Sequence, residues 1–326
     1  MARVFIDGFE AGDLKLWDTK SAAAAVSTGI TGMDGTYCLN LNGISESIQK
    51  NLPEASEYYV AFRYRCTAAT SSAYGSIMGF YNGTTLLAAL KANYLGVFEA
   101  YRFATLIASG GSFAVNTTYL IEVRYIPANS GGVFQVKVNG LLVIDFSGDT
   151  TNSATIINSI RFGGGILSYV WAYLYVDNVV VDNAAWPGNT YIQAIKPIGA
   201  GNSTQWTPSA GDNYACVDEV PPSETDFVST NTAAHLDTYG VGALVGMIGS
   251  VKCVQLQALA KAEGSPTPTN IQLAVRSGAV DYVSPNKAVP TVSTQLAAIW
   301  ETDPATGVPW TESAVNAAEI GVKAVA

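Results

Sequence analysis

Carboxylate pairs are the residues in this sequence with the clearest potential for chemistry, because two carboxyl groups a few ångströms apart can hydrolyse a glycosidic bond. On a β-strand such a pair requires acids at positions i and i+2 or i+4, since side chains alternate between the two faces. Asp177 and Asp182 flank one predicted strand and fall on opposite faces, and Glu122 has no acidic residue two positions away. The spacing of the acids therefore predicts that the protein is not an enzyme.

Two further motifs lack the residues that their chemistry would need. His235 is the only histidine, so a Ser-His-Asp triad would have to use it, but its context, AAHLD, is not that of a known triad. The glycine run 163–165 lacks the Lys-Ser/Thr pair and the following helix of a phosphate-binding loop. We interpret His235 as a structural or surface residue and the glycine run as a turn, and we predict no catalytic residues.

A structural cation is the metal site that the sequence suggests. Asp7 and Glu10 lie at the start of the N-terminal half of the chain, and Asp177 lies near its end. The first and last strands of a sandwich are often neighbours, so these oxygens are expected to meet, and Ca²⁺ favours carboxylate oxygens at loop ends. We expect no bound cofactor, because carboxylates at loop ends commonly accept hydrogen bonds from turn N–H groups. The alternative is a structural Ca²⁺ site at Asp7, Glu10 and Asp177.

An aromatic ladder is the second candidate binding feature. In a strand, Tyr169, Trp171, Tyr173 and Tyr175 would project from one face, since they alternate along the sequence. The sequence favours a buried core or a subunit interface for this ladder, because Tyr and Trp are enriched at both. Sugar rings also stack on such a ladder, so these four residues are the candidate carbohydrate-binding residues of the alternative interpretation.

Composition excludes several partners. The 326 residues are 48% hydrophobic and 13% charged, with a net charge of −9. Neither half of the chain carries a basic stripe, so we predict no binding to nucleic acid or to anionic membranes. No apolar run is long enough to span a membrane. The N-terminus lacks a basic region followed by an apolar one, so we expect no signal peptide and synthesis in the cytoplasm.

The four cysteines do not form a metal or redox motif. Cys38, Cys66, Cys216 and Cys253 are too far apart in sequence for a CxxC pair. Bridges Cys38–Cys66 and Cys216–Cys253 are one interpretation, and four reduced, buried thiols in a reducing compartment are the other.

The segment from Tyr119 to Trp186 indicates the fold that would position the candidate site residues. The alternating runs 133–138 and 141–146 flank Asn139-Gly140, and Asn-Gly between two such runs is the strongest short signal for a β-hairpin. Further short runs of this kind occur along the N-terminal half, with no helical period between them. This pattern predicts an antiparallel jelly-roll sandwich rather than a parallel sheet.

Pro187-Gly188 is the predicted domain boundary, because this pair breaks any strand and the strand pattern restarts after it. We predict a jelly-roll domain over 1–187 and a second, smaller β-sandwich over 188–326. Thr311–Ala318 is the predicted short helix, with Thr311 as its N-cap. The predicted strands of the second domain are 191–196, 241–245, 251–260, 270–277, 292–301 and 319–325.

Three segments of the first half resemble concanavalin A-like (laminin-G-like) jelly rolls. They are Phe5–Trp17 (FIDGFEAGDLKLW), Val136–Asp145 (VKVNGLLVID) and Tyr175–Val181 (YVDNVVV). The resemblance covers about 1–187 and implies the fold. It does not imply one activity, because the fold includes lectins, glucanases and structural modules. The acidic E-x-D-x-x-E motif of the glucanases is missing here.

The second half resembles the C-terminal module of tailed-bacteriophage virion proteins. The residues that carry this resemblance are Asp212–Pro222 (DNYACVDEVPP), 237–239 (DTY), 275–278 (VRSG), Trp300–Thr311 (WETDPATGVPWT), 315–317 (VNA) and 319–323 (EIGVK). The resemblance implies a non-enzymatic structural protein located in the virion, as a tail component or a capsid decoration. Other virion proteins would then be its partners, and the second domain would dock on them. The alternative function is a carbohydrate-binding adhesin that recognises a host surface glycan.

Assembly is the last expectation. A projecting virion protein follows the symmetry of its platform, so we expect a homo-oligomer, with a trimer favoured. The runs 86–90 and 241–245 have almost no polar alternation, and a strand that is apolar on both faces is covered on both. Leu244 and Val245 are therefore predicted to lie at a subunit contact.

Overall fold

The computed structural model describes residues 3–43, 45–67, 75–164, 173–246, 249–263 and 268–326. The chain divides into two compact units, Met1–Ile192 and Gln193–Ala326. The boundary predicted at 187–188 lies a few residues before this division. The described residues form antiparallel sheets, with one short α-helix and one 3-10 helix, so the predicted all-β class is confirmed.

The described residues of the first unit form fifteen strands. They are β1 Arg3–Asp7, β2 Thr19–Lys20, β3 Ala25–Thr28, β4 Tyr37–Leu41, β5 Ser47–Ala55, β6 Tyr58–Cys66, β7 Gly75–Asn82, β8 Thr85–Ala92, β9 Val97–Arg102, β10 Thr105–Ser112, β11 Tyr119–Ile126, β12 Gly132–Val138, β13 Leu141–Gly148, β14 Ile157–Gly163 and β15 Leu174–Asp182.

These strands form two antiparallel sheets. The eight-stranded sheet has the order β13-β12-β11-β6-β15-β4-β3, with β1 also paired to β15. The seven-stranded sheet has the order β10-β9-β8-β7-β14-β5-β2. Because β1 and β15 are neighbours, the expectation that the first and last strands of this unit meet is confirmed.

The inner faces of the two sheets form the core of the first unit. Phe62 of the eight-stranded sheet meets Phe162 of the seven-stranded sheet edge to face, with ring centroids 5.0 Å apart. Tyr125 stacks on Phe80 across the sandwich, with ring centroids 4.8 Å apart. All four side chains are fully buried, so large aromatic rings fill the space between the layers.

Glycine is required at two positions of the sandwich, in the turn between β12 and β13 and where β10 approaches β13. Asn139 and Gly140 have φ of 50° and 83°, so the predicted hairpin turn between β12 and β13 is confirmed. At the open side of the sandwich, β10 passes close to β13. A Cβ on Gly110 would lie 2.0 Å from the carbonyl oxygen of Val143, so only glycine permits this approach.

The second unit contains a six-stranded sheet, β16-β19-β25-β21-β22 with β23 paired to β21, and two two-stranded sheets, β17-β18 and β20-β24. Its elements are β16 Pro197–Thr204, β17 Thr207–Pro208, the 3-10 helix Asn213–Cys216, β18 Val228–Ser229, β19 Leu236–Val241, β20 Val254–Ala260, β21 Asn270–Ser277, β22 Val280–Val283, β23 Lys287–Ala288, β24 Thr294–Trp300, α1 Glu312–Asn316 and β25 Glu319–Val325.

The helix and the core of this unit follow the sequence closely. Thr311 caps α1, because its hydroxyl oxygen accepts a hydrogen bond of 3.0 Å from the Ala314 N–H. Val315 on the helix packs with Trp310 and Val275, and these three side chains are buried. The helix predicted at the C-terminal end is therefore confirmed, although it is shorter than the predicted range.

Two strand predictions of the second unit are wrong. The segment 191–196 contains no strand, and β19 ends at Val241 instead of spanning 241–245. The chain leaves the sheet at Gly242, whose N–H donates to the Lys196 carbonyl oxygen. Val245 is then 73% exposed in the single chain, and the predicted subunit contact at Leu244 and Val245 stays a prediction. The other run, 86–90, lies in β8 and is buried on both faces as expected.

Candidate functional site

The outward face of the seven-stranded sheet carries a cluster of buried polar side chains. Lys91 on β8 lies directly opposite Glu99 on β9, and Ala89 lies opposite Tyr101. Since side chains alternate along a strand, Lys91, Glu99 and Tyr101 project from the same face, away from the aromatic core. We refer to Lys91, Asn93, Glu99 and Tyr101 as the lysine cluster.

Lys91 is the exceptional member of this cluster. Its side chain is only 1% exposed, and its Nζ lies 3.8 Å from the centre of the Tyr101 ring. Within the described part of the chain, Nζ has no hydrogen-bond partner. Burial lowers the pKa of Lys91 to about 8, although the nearby charge of Glu99 acts in the opposite direction. A buried ammonium held by one aromatic ring alone is costly, because nothing replaces the hydrogen bonds it makes in water.

Glu99 is fully engaged. Asn93 Nδ2 donates to one of its carboxylate oxygens at 2.7 Å, and the Tyr101 hydroxyl donates to the other at 3.0 Å. The Asn93 side-chain oxygen accepts hydrogen bonds from the backbone N–H groups of Leu95 and Val97, which holds the β8–β9 loop in place. The carboxylate therefore orients Asn93 and Tyr101 instead of pairing with Lys91.

A second cation lies on the same outward face. The Arg161 guanidinium lies over the Tyr81 ring, 4.5 Å from its centre, and donates to Gln49 Oε1 through Nε and Nη2 at 3.2 and 2.7 Å. Gly79 beside them has no side chain. A Cβ there would come within 2.9 Å of Leu86 and 3.0 Å of Tyr81, so the glycine lets the Tyr81 ring fold over the sheet.

The strand register relates the two cations to each other. Arg161 is opposite Gly79, Gly79 is opposite Ala89, and Lys91 lies two residues beyond Ala89. Two strand spacings across the sheet and two residues along it place the Arg161 and Lys91 Cα atoms roughly 12 Å apart. The face therefore offers two cation–aromatic pairs, Lys91–Tyr101 and Arg161–Tyr81, separated by a distance that suits an oligomeric ligand.

The carboxylates predicted to hold Ca²⁺ do not gather as one set. Asp7 accepts hydrogen bonds from the Phe9 N–H at 2.8 Å and from Trp17 Nε1 at 2.7 Å, and burial raises its pKa to about 6. The charges that act on Asp7 are those of Asp13 and Lys50. Its carboxylate thus accepts one hydrogen bond from a turn N–H, as expected, and a second from the Trp17 indole.

Glu10 and Asp177 belong to a different group, together with Asp34. Glu10 Oε1 accepts from the N–H groups of Thr36 and Tyr37 at 2.8 and 3.0 Å. Asp177 accepts from the Asn178 N–H at 2.6 Å and the Asp34 N–H at 3.1 Å. Burial raises the pKa of Asp177 to about 8, and the charges of Asp34 and Glu10 add to this rise.

Metal ligation and histidine chemistry receive no geometric support. Among the described residues, no group of three or more His, Cys, Asp or Glu side chains could hold a metal ion. His235 Nδ1 lies 3.0 Å from the Thr230 hydroxyl, which is a structural contact. None of the four cysteines forms a disulfide bond, so the bridges Cys38–Cys66 and Cys216–Cys253 are not present in the structure. No helix in the described ranges is long and apolar enough to cross a membrane.

The aromatic ladder is only partly described. Tyr169 and Trp171 lie outside the described residues. Tyr173 and Tyr175 have parallel rings with centroids 6.0 Å apart, on the eight-stranded sheet side of the unit. Tyr173 is 37% exposed and Tyr175 only 7%, so Tyr173 presents the open ring of this pair. The binding role of the ladder stays a prediction.

The lysine cluster was missed by the interpretation of the sequence. The usable signal was a charged residue within a strand that is apolar on both faces: Lys91 follows the run 86–90, and Glu99 lies in the next strand. Only the register of β8 against β9 shows that these two charges project side by side. Arg161 and Tyr81 come from distant parts of the sequence, so no local pattern relates them.

This chain is similar to solved structures at the level of the fold. No family model and no curated protein matches this chain. Among solved structures, a sialidase is similar over 56% of this chain, which spans 18% of the sialidase, with 16% identity and a TM-score of 0.44. The alginate lyase Aly36B matches with 21% identity, a TM-score of 0.36, and coverage of 50% and 85% of the two chains. An endo-β-1,4-glucuronan lyase from the fungus Trichoderma reesei matches with 14% identity, a TM-score of 0.40, and coverage of 56% and 96%.

The solved structures that are similar to this chain contradict two predictions. The predicted function was a non-enzymatic structural component of a phage virion, whereas the similar structures are carbohydrate-active enzymes. The prediction that the protein is not an enzyme is wrong for the same reason. The alternative, carbohydrate recognition, agrees with them. The predicted homo-oligomer, the virion location and the concanavalin A-like resemblance stay predictions. Since each TM-score is below 0.5, the function is argued below from the side chains of this chain alone.

Proposed function

We propose that the protein binds carbohydrate on the outward face of the seven-stranded sheet. The observation that carries this proposal is Lys91, which is 1% exposed, lies against the Tyr101 ring, and has an Nζ without a hydrogen-bond partner in the described part of the chain. A buried donor without an acceptor lowers the stability of the folded protein, and a ligand oxygen that accepts a hydrogen bond from it removes this penalty. Groups that reduce stability in this way are a feature of binding sites.

The surroundings of Lys91 have the mixed character that a sugar requires. A sugar has hydroxyl oxygens that accept hydrogen bonds and an apolar C–H face that packs on aromatic rings. The face provides donors through Lys91, Asn93 and Arg161, and it provides rings through Tyr101 and Tyr81. Sites for small organic ligands combine apolar walls with a few oriented polar groups in the same manner.

Titration calorimetry of the full chain tests this function. The panel is alginate, a polyglucuronate and a neutral β-glucan, each also incubated with the protein and assayed for chain cleavage. We expect heat of binding with at least one polymer, and a loss of that heat in Lys91→Met. Lys137→Met is the matched control, because Lys137 lies 3.9 Å from the Trp186 ring but in the eight-stranded sheet. Absence of binding to every polymer at millimolar sugar would show that the proposal is wrong.

A further inference from the structure

The charges on the outward face of the seven-stranded sheet define which carbohydrate would bind. Two strand cations, Lys91 and Arg161, project there, and neither forms an ion pair with a carboxylate in the described structure. Other cations of the same unit do have carboxylate partners: Lys50 pairs with Asp18, Arg63 with Asp34, and Arg124 with Glu57. The face therefore keeps positive charge that the protein does not neutralise.

The single carboxylate of the lysine cluster does not remove this surplus. Glu99 lies directly opposite Lys91 in the sheet, yet its two oxygens accept from Asn93 and Tyr101 instead. Within the described residues, Lys91 Nζ lies over the ring of Tyr101 and has no hydrogen-bond partner. A cation–aromatic contact is weaker than a charge-assisted hydrogen bond, so an anionic oxygen would displace the ring from Nζ.

We infer that the ligand is an acidic oligosaccharide, whose anionic groups bind Lys91 and Arg161 while its sugar rings pack on Tyr101 and Tyr81. This inference rests on the proposed carbohydrate binding and names the class of sugar. The separation of roughly 12 Å between the two Cα atoms, from the strand spacing, fits a ligand that extends beyond one sugar unit. A guanidinium fork matches a planar carboxylate, which makes a uronate the favoured unit at Arg161.

Equilibrium binding of the full chain to three forms of one polymer tests the inference. The probes are a polyuronate, the same polymer with its carboxyl groups reduced to alcohols, and a sulfated neutral glucan. We expect binding to the polyuronate, and binding at least about 30-fold weaker to the reduced form, because a buried charge loses its partner. Binding of the sulfated polymer as well would assign the site to anionic sugars in general and support the inference.

The variants separate this inference from the proposed function. Lys91→Met and Arg161→Gln should each weaken polyuronate binding at least about 10-fold, and Lys137→Met should leave it unchanged. Arg161→Gln provides an independent result if Lys91→Met does not fold. Equal affinity for the polyuronate and its reduced form would overturn the acidic-sugar inference and leave carbohydrate binding intact. Absence of binding to both forms and to every other polymer would overturn both proposals.

Discussion

The outward faces of the two sheets of the first unit differ in how their charged groups are satisfied. On the eight-stranded sheet, Arg124 pairs with Glu57 and Arg63 with Asp34, and Lys137 lies on the Trp186 ring. On the seven-stranded sheet, Lys91 is more deeply buried and has only an aromatic ring for a partner among the described residues. Both faces belong to one sandwich with one core, so the contrast does not come from the fold.

The contrast shows that the partners of each charged side chain bear on both stability and function. Ion pairs near the surface such as Arg124–Glu57, whose side chains are 28% and 29% exposed, contribute about 1 kcal/mol or less. A buried ammonium without hydrogen bonds lowers the stability of the folded state, and a ligand that binds the ammonium restores this stability. The seven-stranded face is therefore the one where a substitution should trade stability against binding.

We expect the largest effect from a substitution in the core between the two sheets, which supports both outward faces. Phe162 is fully buried and meets Phe62 and Trp17 edge to face, at 5.0 and 5.9 Å. Phe162→Ala should lower the free energy of unfolding by about 3–5 kcal/mol, because it leaves a cavity between the sheets. Chemical denaturation of the full chain measures this change, with the exposed Leu141→Ala as control. A loss of under about 1 kcal/mol would show that the two layers do not depend on this contact.

The next effect distinguishes the two faces directly. The folded-state pKa of Lys91 is about 8, below the usual value of 10.5, so its charged form opposes folding. This cost is fully present below pH 8 and disappears as the pH rises towards 10.5. Lys91→Met should therefore raise the free energy of unfolding by about 1–3 kcal/mol at pH 7.

The matched variant on the other face is Lys137→Met, which should change stability by less than about 0.5 kcal/mol. Thermal unfolding of both variants at pH 7 and pH 10 provides the comparison. If Lys91→Met were less stable than the wild type at pH 7, the ammonium would have a partner that stabilises it, and the contrast between the faces would be lost.

A third effect concerns the acidic group of the eight-stranded sheet. The pKa of Asp177 is raised to about 8 by burial and by Asp34 and Glu10. In the unfolded chain it ionises near pH 4, so the unfolded state releases a proton that the folded state retains until pH 8. Stability should fall over this window as the pH rises, by at most about 1.4 kcal/mol for each pH unit.

Asp177→Asn should remove that part of the pH dependence and match the wild type near pH 4. The difference in melting temperature between the two proteins, measured in steps from pH 4 to pH 8, isolates the contribution of this carboxyl. A difference that stays constant over the whole range would contradict a raised pKa. Added Ca²⁺ or a chelator in the same series reports on the predicted metal site, since an ion bound only to the folded state raises its melting temperature.

The smallest expected effect tests the aromatic ladder. Tyr173 is 37% exposed and stacks on Tyr175 at 6.0 Å. Tyr173→Ala should change the free energy of unfolding by less than about 1 kcal/mol. It should also leave polyuronate binding unchanged, if the seven-stranded face is the binding surface. A loss of binding in Tyr173→Ala but not in Lys91→Met would move the carbohydrate site to the eight-stranded sheet.

The sequence by itself determined the all-β class, the hairpin at Asn139-Gly140 and the short helix after Thr311. These features rest on local chemistry, since a turn with positive φ requires particular residues and an N-cap hydroxyl reaches an N–H only three positions away. The segment 241–245 shows where local pattern fails. Its apolar run predicted a strand, but the chain leaves the sheet where Gly242 bonds to Lys196.

Only the tertiary structure decided which charges meet. Asp7 and Asp177 looked like members of one metal site, yet Asp7 accepts from Trp17 and Asp177 groups with Asp34. Lys91 gave no signal beyond a charge in an apolar run, and its meaning depends on what lies beside it across the sheet. Partners in a sheet come from distant strands, and burial depends on every layer above them. The electrostatics of this site is therefore a property of the assembled sandwich rather than of any segment of the chain.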